Sequence, residues 1–313
     1  MNTTISEMYK KRNVDIRFIE IDSCPVCSSD KLEFIMRGKD SESLSLKYSI
    51  VQCPQCYVYI TSPQPHPEDI WKLYDERDSK DFAPSLNNIT TLRQYIFRRY
   101  INKILKYIAG DKLSVLDYGC GDGLLSLLLS QHPRCAHVTA ADFHPAAPLY
   151  IAQSGANISY IPHHDFVKSS ARYDLILCRQ VLEHVHDPVA TLGLLREHMN
   201  ANAWIFVEVP NFQSIWRTIF GPNWSMLYLP RHLFHYAPCS LSAVLQRSGF
   251  EVKKLQHGHF PGMKTSLYHL LGMHSPAPGA MAVLLFPLQM ALDIICRRSS
   301  VIAAYAQAQT DQI

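Results

Sequence analysis

Val115-Leu-Asp-Tyr-Gly-Cys-Gly-Asp-Gly123 is the stretch on which the reading of this chain turns. An apolar run (Leu113, Val115, Leu116) ends in an acid, Asp117, and glycines then recur at every second position. The leucine-rich segment Leu124–Leu129 that follows reads as a helix. Strand, glycine turn and helix form the frame of a nucleotide-binding α/β unit, which holds its ligand outside the carboxyl end of the strand. A glycine has no Cβ, so such a turn can be tight and its backbone can approach a ligand closely. A dinucleotide fingerprint needs G-x-G-x-x-G, and its third glycine would fall at Leu124. The pattern present is D-x-G-x-G-x-G, whose acid would repel a pyrophosphate and suits a ligand carrying positive charge. The alternative is a generic glycine turn in an α/β protein, and acids further along the chain weigh against it.

His137–Ala141 reads as a second strand, closed by Asp142, which lies 25 positions past Asp117. A Rossmann-like unit places the acid that binds both ribose hydroxyls close to that distance, and one carboxylate can accept both hydrogen bonds. A helix N-cap role before Pro145 is compatible with that function of Asp142. Asn157–Ile161 is the third strand, followed by His163-His-Asp-Phe166. Tyr173–Cys178 is the fourth, apolar enough to be buried on both faces as parallel strands are. It runs into Arg179-Gln-Val-Leu-Glu-His-Val-His-Asp-Pro188. Ala203–Val209 is a fifth strand, Pro238–Ser248 a helix, Phe250–Leu255 a sixth strand, and Ser300–Tyr305 the seventh that closes the sheet.

On these residues the chain resembles class I S-adenosylmethionine-dependent methyltransferases, whose ligand has an ammonium and a sulfonium and no phosphate. The resemblance implies an α/β, Rossmann-like, seven-stranded sheet with helices on both faces. It also implies S-adenosylmethionine held by Asp117, Gly119, Gly121, Gly123 and Asp142, with Phe143 and Gln180 counted beside them. By the same resemblance Asp165 accepts from the adenine amino group and Phe166 packs on the ring. The "V-L-E-H-V-x-D-P" run is similar to the segment after the fourth strand in many small-molecule methyltransferases.

Nine cysteines include two C-x-x-C pairs, Cys24-Pro-Val-Cys27 and Cys53-Pro-Gln-Cys56, separated by 25 residues. Two such knuckles present four thiolates, which complete a tetrahedral Zn²⁺ site with no open position, so the metal is expected to be structural. Leu32–Arg37 and Tyr48–Gln52 read as the short strands of a zinc ribbon. A thioredoxin-like redox pair would need one C-x-x-C inside a βαβ pattern, which this region lacks. A glycine often follows the second cysteine of such knuckles; here Ser28 and Tyr57 stand there. Reduced thiols point to the cytoplasm, and Met1–Arg12, polar and charged, does not read as a secretory signal. Prolines at 63, 65 and 67 hold the next segment extended, and a short helix is expected from Pro67. This layout resembles that of bacterial sugar C-methyltransferases and of methyltransferases encoded with surface-polysaccharide genes. "R-H-L-F-H-Y" at Arg231–Tyr236 also recurs in the polysaccharide-linked group.

The expected divisions are a zinc ribbon and proline-rich link over 1–75, a linker and covering helix over 76–112, a cofactor-binding domain over 113–260, and an apolar helix with the closing strand over 261–313. Within the second of these, residues 76–88 read as loop and Ile89–Ile108 as a helix. Apolar content of 47% and charged content of 18% describe a globular chain. A net charge of +3 with no clear basic–aromatic stripe argues against a nucleic-acid partner. Gly279–Cys296 is strongly apolar yet interrupted by Pro287, Gln289 and Asp293, and sits at the lower edge of what spans a bilayer. A helix packed on the sheet is the first expectation. The second is a helix on the inner membrane face, residues 279–298, with Arg297 and Arg298 at the headgroups.

Methyl transfer to oxygen or carbon needs a base near neutral pH, and histidine has the intrinsic pKa for it. The candidates are His184, His232 and His235, with Arg231 to hold a carboxylate or phosphate of a small-molecule or sugar acceptor. The insertion Asn211–Leu229, with Trp216 and Trp224, is expected to cover the transfer path. Some methyltransferases bind a divalent ion through E-x-x-E-H here. In this chain Gln180 replaces the first acid, and Glu183-His184 would need help from His232 or His235. Two rival functions are a zinc-ribbon RNA methyltransferase and a non-catalytic cofactor-binding protein of the same fold.

Overall fold

The computed structural model describes residue 5 and residues 15–41, 46–74, 91–152, 154, 157–274 and 280–309. Met1–Arg12 apart from residue 5, the loop read over 76–88, and the first two residues of the helix read from Ile89 lie outside them. The chain begins with five short strands: β1 (Phe18–Ile19), β2 (Glu33–Lys39), β3 (Lys47–Gln52), β4 (Tyr59–Ser62) and β5 (Gln64–Pro65). The proline-rich link is therefore strand, with β5 pairing antiparallel to β1. The helix expected from Pro67 is a single 3₁₀ turn, Ile70–Leu73.

Helix α1 (Thr91–Leu105) leads into the larger, C-terminal part of the fold, called the catalytic half for the function expected of it: β6 (Leu113–Tyr118), α2 (Leu124–Ser130), β7 (Cys135–Asp142), α3 (Leu149–Ala152), β8 (Ile158–Pro162) and α4 (His163–Phe166). Next come β9 (Tyr173–Arg179), α5 (Pro188–Glu197), β10 (Met199–Pro210), α6 (Ile215–Phe220) and β11 (Phe234–His235). The chain ends with α7 (Pro238–Arg247), β12 (Phe250–Gly258), α8 (Met263–Leu270), α9 (Ala280–Cys296) and β13 (Val301–Ala308).

Seven strands form one sheet in the order β12-β13-β10-β9-β6-β7-β8. The pairs among β10, β9, β6, β7 and β8 are parallel, and β13 runs antiparallel to β10 and β12. Leu116, Leu175, Ile176, Leu177 and Val207 on the central strands are wholly buried, as a sheet covered on both faces requires. The chain leaves β6 toward β7 on one side and β9 on the other. That change of direction opens a crevice at the carboxyl end of β6, the place where such sheets hold ligands.

The N-terminal unit is not separate from this body. Its four-stranded sheet runs β11-β4-β3-β2, so Phe234–His235 of the catalytic half supplies its edge, pairing with Ile60 and Tyr59. Cys24, Cys53, Cys56, Val58 and Ile60 share one apolar core with Leu182, Leu233 and Tyr236. The insertion after β10 is a second seam. Trp216, Phe220 and Trp224 are buried against Ile16, Tyr48 and Ile50 of the N-terminal unit. These tryptophans are core between two parts of the fold, not the cover over the transfer path that the sequence suggests.

Candidate active site

The turn after β6 is folded against the end of β7: the N–H groups of Gly119 and Cys120 both donate to the carbonyl of Ala141, at 2.8 and 3.1 Å. Gly121 N–H donates to Asp142 Oδ2 at 2.9 Å, and Asp142 Oδ1 accepts from His144 N–H at 3.3 Å. Asp142 thus fastens the loop while each oxygen keeps a lone pair for a ribose hydroxyl. Gly119, Gly121 and Gly123 all have positive φ. A Cβ on Gly121 would meet nothing within 4 Å, whereas one on Gly119 would lie 2.1 Å from Val181 Cγ2. The loop is therefore packed from below at Gly119 and open above at Gly121.

Asp117 is buried at the strand end and accepts from Ser126 Oγ. Burial pushes its carboxyl up to about 6, a cost that a cationic ligand nearby relieves. Gln180, where β9 ends, has φ of 54° and a buried Nε2 without a hydrogen-bond partner. An orphaned donor on a strained backbone beside the crevice is a feature that a bound ligand satisfies. Together these residues fit S-adenosylmethionine: carboxylates for ribose and cation, an open loop, and an amide to spare.

The adenine end differs from expectation. Phe166 is wholly buried, its ring 5.7 Å from Tyr118 and 4.3 Å from His198, so it has no free face for a base. The aromatic surface at this end is Phe143, exposed and stacked on His163 with centroids 4.3 Å apart. Asp165 lies on α4, exposed and paired with His164 at 3.2 Å.

Past β9, three side chains converge that the sequence separates by up to 49 positions: Glu183, His184 and His232 each offer a ligand atom within 4.8 Å of the others. The two imidazole centroids are 4.5 Å apart. His184 Nδ1 lies 2.9 Å from Tyr74 Oη and 3.1 Å from the Arg231 carbonyl, and His232 Nδ1 lies 3.0 Å from the Met226 carbonyl. Glu183 is fully buried and neither carboxylate oxygen has a partner. Burial pushes its carboxyl up to about 8. Burial also holds His184 down to about 4 and His232 well below the usual histidine range. From the sequence Glu183 reads only as part of an incomplete divalent-ion site that would need His232 or His235, and here it stands with His232; Tyr74 does not read as a site residue. The adjacency of Glu183 to His184 was the available signal; nothing local reveals Tyr74.

His235 faces another part of the fold, and Arg231 borders the cluster with its guanidinium already engaged. His235 sits in β11 with Nε2 3.0 Å from Thr61 Oγ1, packed on Phe212, and burial lowers it to about 3. It joins the N-terminal sheet to the catalytic half and has no access to an acceptor. The Arg231 guanidinium is buried between the rings of Tyr74 and Tyr228, and its Nε donates to the Leu73 carbonyl at 2.9 Å. That guanidinium is committed to the end of the N-terminal unit, so it is not placed to bind an acceptor anion.

The four cysteines of the two knuckles form one cluster, with Cys24 Sγ 3.5 Å from Cys56 Sγ and Cys27 Sγ 3.4 Å from Cys53 Sγ. A hydrogen bond from Cys56 pulls the Cys24 thiol down to about 5, while the Cys56 thiol is raised. Each knuckle closes with a backbone bond, Ser28 N–H to Cys24 O and Tyr57 N–H to Cys53 O, both 2.8 Å. Ser28 and Tyr57 carry φ of 59° and 62°. They adopt the left-handed turn of a glycine without being glycine.

Residues 90–255 match the family described as a methyltransferase domain. The chain belongs to that family. It is a methyltransferase that uses S-adenosylmethionine, with the glycine loop and Asp142 at the expected crevice of the sheet. It is 28% identical over 198 residues to a ubiquinone biosynthesis O-methyltransferase of Nitrosospira multiformis, covering 56% of this chain and 75% of the relative. A protein of the same description from Aromatoleum aromaticum is 30% identical over 163 residues, 47% of this chain and 67% of the relative. Among solved structures, the [4+2]-cyclase SpnF superposes with a TM-score of 0.51 at 12% identity, covering 79% of this chain and 97% of that one. The last likeness concerns the fold alone.

Proposed function

We propose that this methyltransferase transfers the methyl group to a hydroxyl oxygen of a small acceptor that enters beside Glu183, His184 and His232. The observation that carries the reading is the buried Glu183 carboxyl with both oxygens unpartnered, next to two neutral imidazoles and past the cofactor edge at Gln180. Bound at the loop, S-adenosylmethionine supplies an electrophilic methyl on a sulfonium. Asp117, Asp142 and Gln180 hold it, and the protein's further task is to align the acceptor and receive its proton. His184 is the residue we assign to that proton. It is neutral, partly accessible, and its ring is fixed by Tyr74 and the Arg231 carbonyl. The names of the O-methyltransferase relatives support oxygen as the acceptor atom, and the polysaccharide-linked resemblance supports a sugar-bearing acceptor.

A second reading rests on the same cluster. One carboxylate and two imidazoles make a donor set suited to a first-row divalent ion, which would ionise Glu183 and polarise the acceptor hydroxyl. His235, held in the N-terminal sheet, is not part of it. We further infer that the four-thiol cluster holds a structural Zn²⁺, since its donors leave no place for water or substrate. The N-terminal unit then serves as a fixed wall of the catalytic body.

The test is the intact mass of catechols and nucleotide sugars incubated with protein and S-adenosylmethionine, with and without a chelator. A gain of one methyl, with turnover falling on the order of a hundredfold in His184→Ala at unchanged cofactor affinity, supports the first reading. Loss of turnover on chelation that manganese restores, with the zinc content of the protein unchanged throughout, selects the second. Full turnover in His184→Ala and Glu183→Gln alike overturns both.

A further inference from the structure

Helix α9 is amphipathic the wrong way round for a helix that covers a core. Its buried positions are polar: Gln289 and Asp293 are each 1% exposed. Asp293 accepts from Trp216 Nε1 at 2.6 Å and lies 2.8 Å from His259 Nδ1. Gln289 Oε1 accepts from Met263 N–H at 3.1 Å, and its Nε2 donates to the Phe260 carbonyl. The opposite face carries Met281, Leu284, Leu288, Ala291, Ile294 and Ile295, all exposed, with Leu284 and Ile295 at 76%. Steps of three and four residues keep these positions on one side of the helix. The helix is held by these hydrogen bonds and by Leu292, which packs against the core around Trp216 and Val301, and it displays the apolar stripe to the outside. Helix α8, which packs against it, also exposes Leu267 and Leu270.

The stripe ends at Arg297, which leaves the helix with φ of 53° and an exposed side chain. Arg297, Arg298 and Arg217 line one cavity of about 580 Å³, with His257 and Tyr59 on its wall. Arg298 donates to the Gln213 carbonyl at 2.7 Å and to Thr218 Oγ1 at 3.0 Å. Among the described residues no carboxylate pairs with any of the three guanidinium groups. Within 280–298 the only acid is Asp293, and it is buried.

We propose that α9 and the arginines at its end form a peripheral docking surface for an anionic lipid bilayer. The helix lies in the membrane plane with its apolar stripe among the acyl chains, and the guanidinium groups of Arg297 and Arg298 at its end meet lipid phosphates. The charge pattern selects this occupant over a second copy of the chain. The same face of another copy brings apolar side chains and arginines but no carboxylate for them, whereas an anionic bilayer brings both hydrocarbon and phosphate. No helix among the described residues is long and apolar enough to cross a membrane, so the contact is made from one side.

The test is flotation of the full chain with phosphatidylcholine vesicles, with and without phosphatidylglycerol. Binding is expected to the anionic vesicles and to fall with added salt. The pair Leu284→Glu and Ile295→Glu should lower the bound fraction at least about tenfold. Arg297→Glu alone should weaken binding and flatten its salt dependence. All these side chains are exposed, so circular dichroism and cofactor affinity should be unchanged in every variant. Absence of binding to anionic vesicles overturns the proposal, as does binding equal in the wild type and the Leu284/Ile295 variant. A dimer in vesicle-free sedimentation that those two changes abolish assigns the stripe to a second copy and overturns it too.

Discussion

Alanine at Gly119 and at Gly121 should fail for opposite reasons, and the difference tests whether the loop is a cofactor cradle or only a tight turn. Both residues have positive φ, 76° and 55°, so either alanine carries a left-handed backbone cost of about 1–2 kcal/mol. At Gly119 the new Cβ would also sit 2.1 Å from Val181 Cγ2, well inside contact distance. Val181 is itself buried on the segment leaving β9. Overpacking of this kind costs about 1–3 kcal/mol, so Gly119→Ala should lose roughly 2–5 kcal/mol in all. That is a large part of a stability of about 5–15 kcal/mol and should lower the melting temperature by on the order of 10 °C. At Gly121 the added methyl meets no protein atom within 4 Å. The fold should lose only the backbone cost, while the methyl intrudes where the ligand approaches and weakens binding at least about tenfold.

Differential scanning calorimetry with and without S-adenosylmethionine, together with titration calorimetry, separates the two. Gly119→Ala should melt early in the free protein, and adding Val181→Ala should recover much of the overlap term, a coupling that a double-mutant cycle reads directly. Gly121→Ala should melt within a few degrees of wild type and gain little from ligand. Equal destabilisation by the two alanines, with equal stabilisation of both by the cofactor, would show that the open space above Gly121 is not the binding site.

Asp142→Ala should weaken cofactor binding on the order of tenfold or more by removing a two-point acceptor, and unchanged affinity by titration calorimetry would refute that role. Freshly purified, reduced protein should contain one zinc per chain by elemental analysis, and Cys24→Ser should lose it. Because Cys24 and Cys56 share a core with Leu233 and Tyr236, that variant should also lose turnover, a result not expected of an independent ribbon. Burial raises Asp117 to about 6, so the folded state holds this proton more tightly than the unfolded chain does. The contribution is complete below about pH 4 and is lost as pH rises to about 6, a fall of about 3 kcal/mol. Asp117→Asn should flatten this part of the denaturation profile, and the cofactor's cation should stabilise the wild type more at pH 7 than at pH 5.

The catalytic sheet was legible because its signals are local. Each central strand is a run of apolar residues long enough to cross the sheet once, and the loops that bear function follow their carboxyl ends. Asp117, the glycines and Asp142 lie within one strand–loop–helix–strand unit, so spacing alone locates them. The adenine end was not legible in the same way. His163-His-Asp-Phe166 is one helical turn, and a shift of one position in a turn moves a side chain by about 100°. That rotation sends Phe166 into the core and leaves His163 against Phe143.

The segment Arg231–Tyr236 shows a deeper obstacle. Its two histidines and arginine are the residue types of an acceptor site, and they do follow β10, the last of the parallel strands along the chain. Yet β11 must satisfy its backbone at an edge of the N-terminal sheet, and alternation along a strand sends neighbouring side chains to opposite faces. Phe234 and Tyr236 enter the shared core, and His235 is carried to Thr61 on the other side. His232, just before the strand, escapes that alternation and reaches Glu183 and His184. Ser28 and Tyr57 carry the same lesson for the knuckles. The absence of glycine put the metal turn in question, but the backbone there is left-handed all the same. About 1–2 kcal/mol of local strain at each is small beside a four-thiolate zinc site, whose binding energy in small folds is about 10–16 kcal/mol. A turn that a metal closes can therefore dispense with the glycine that a metal-free turn would require.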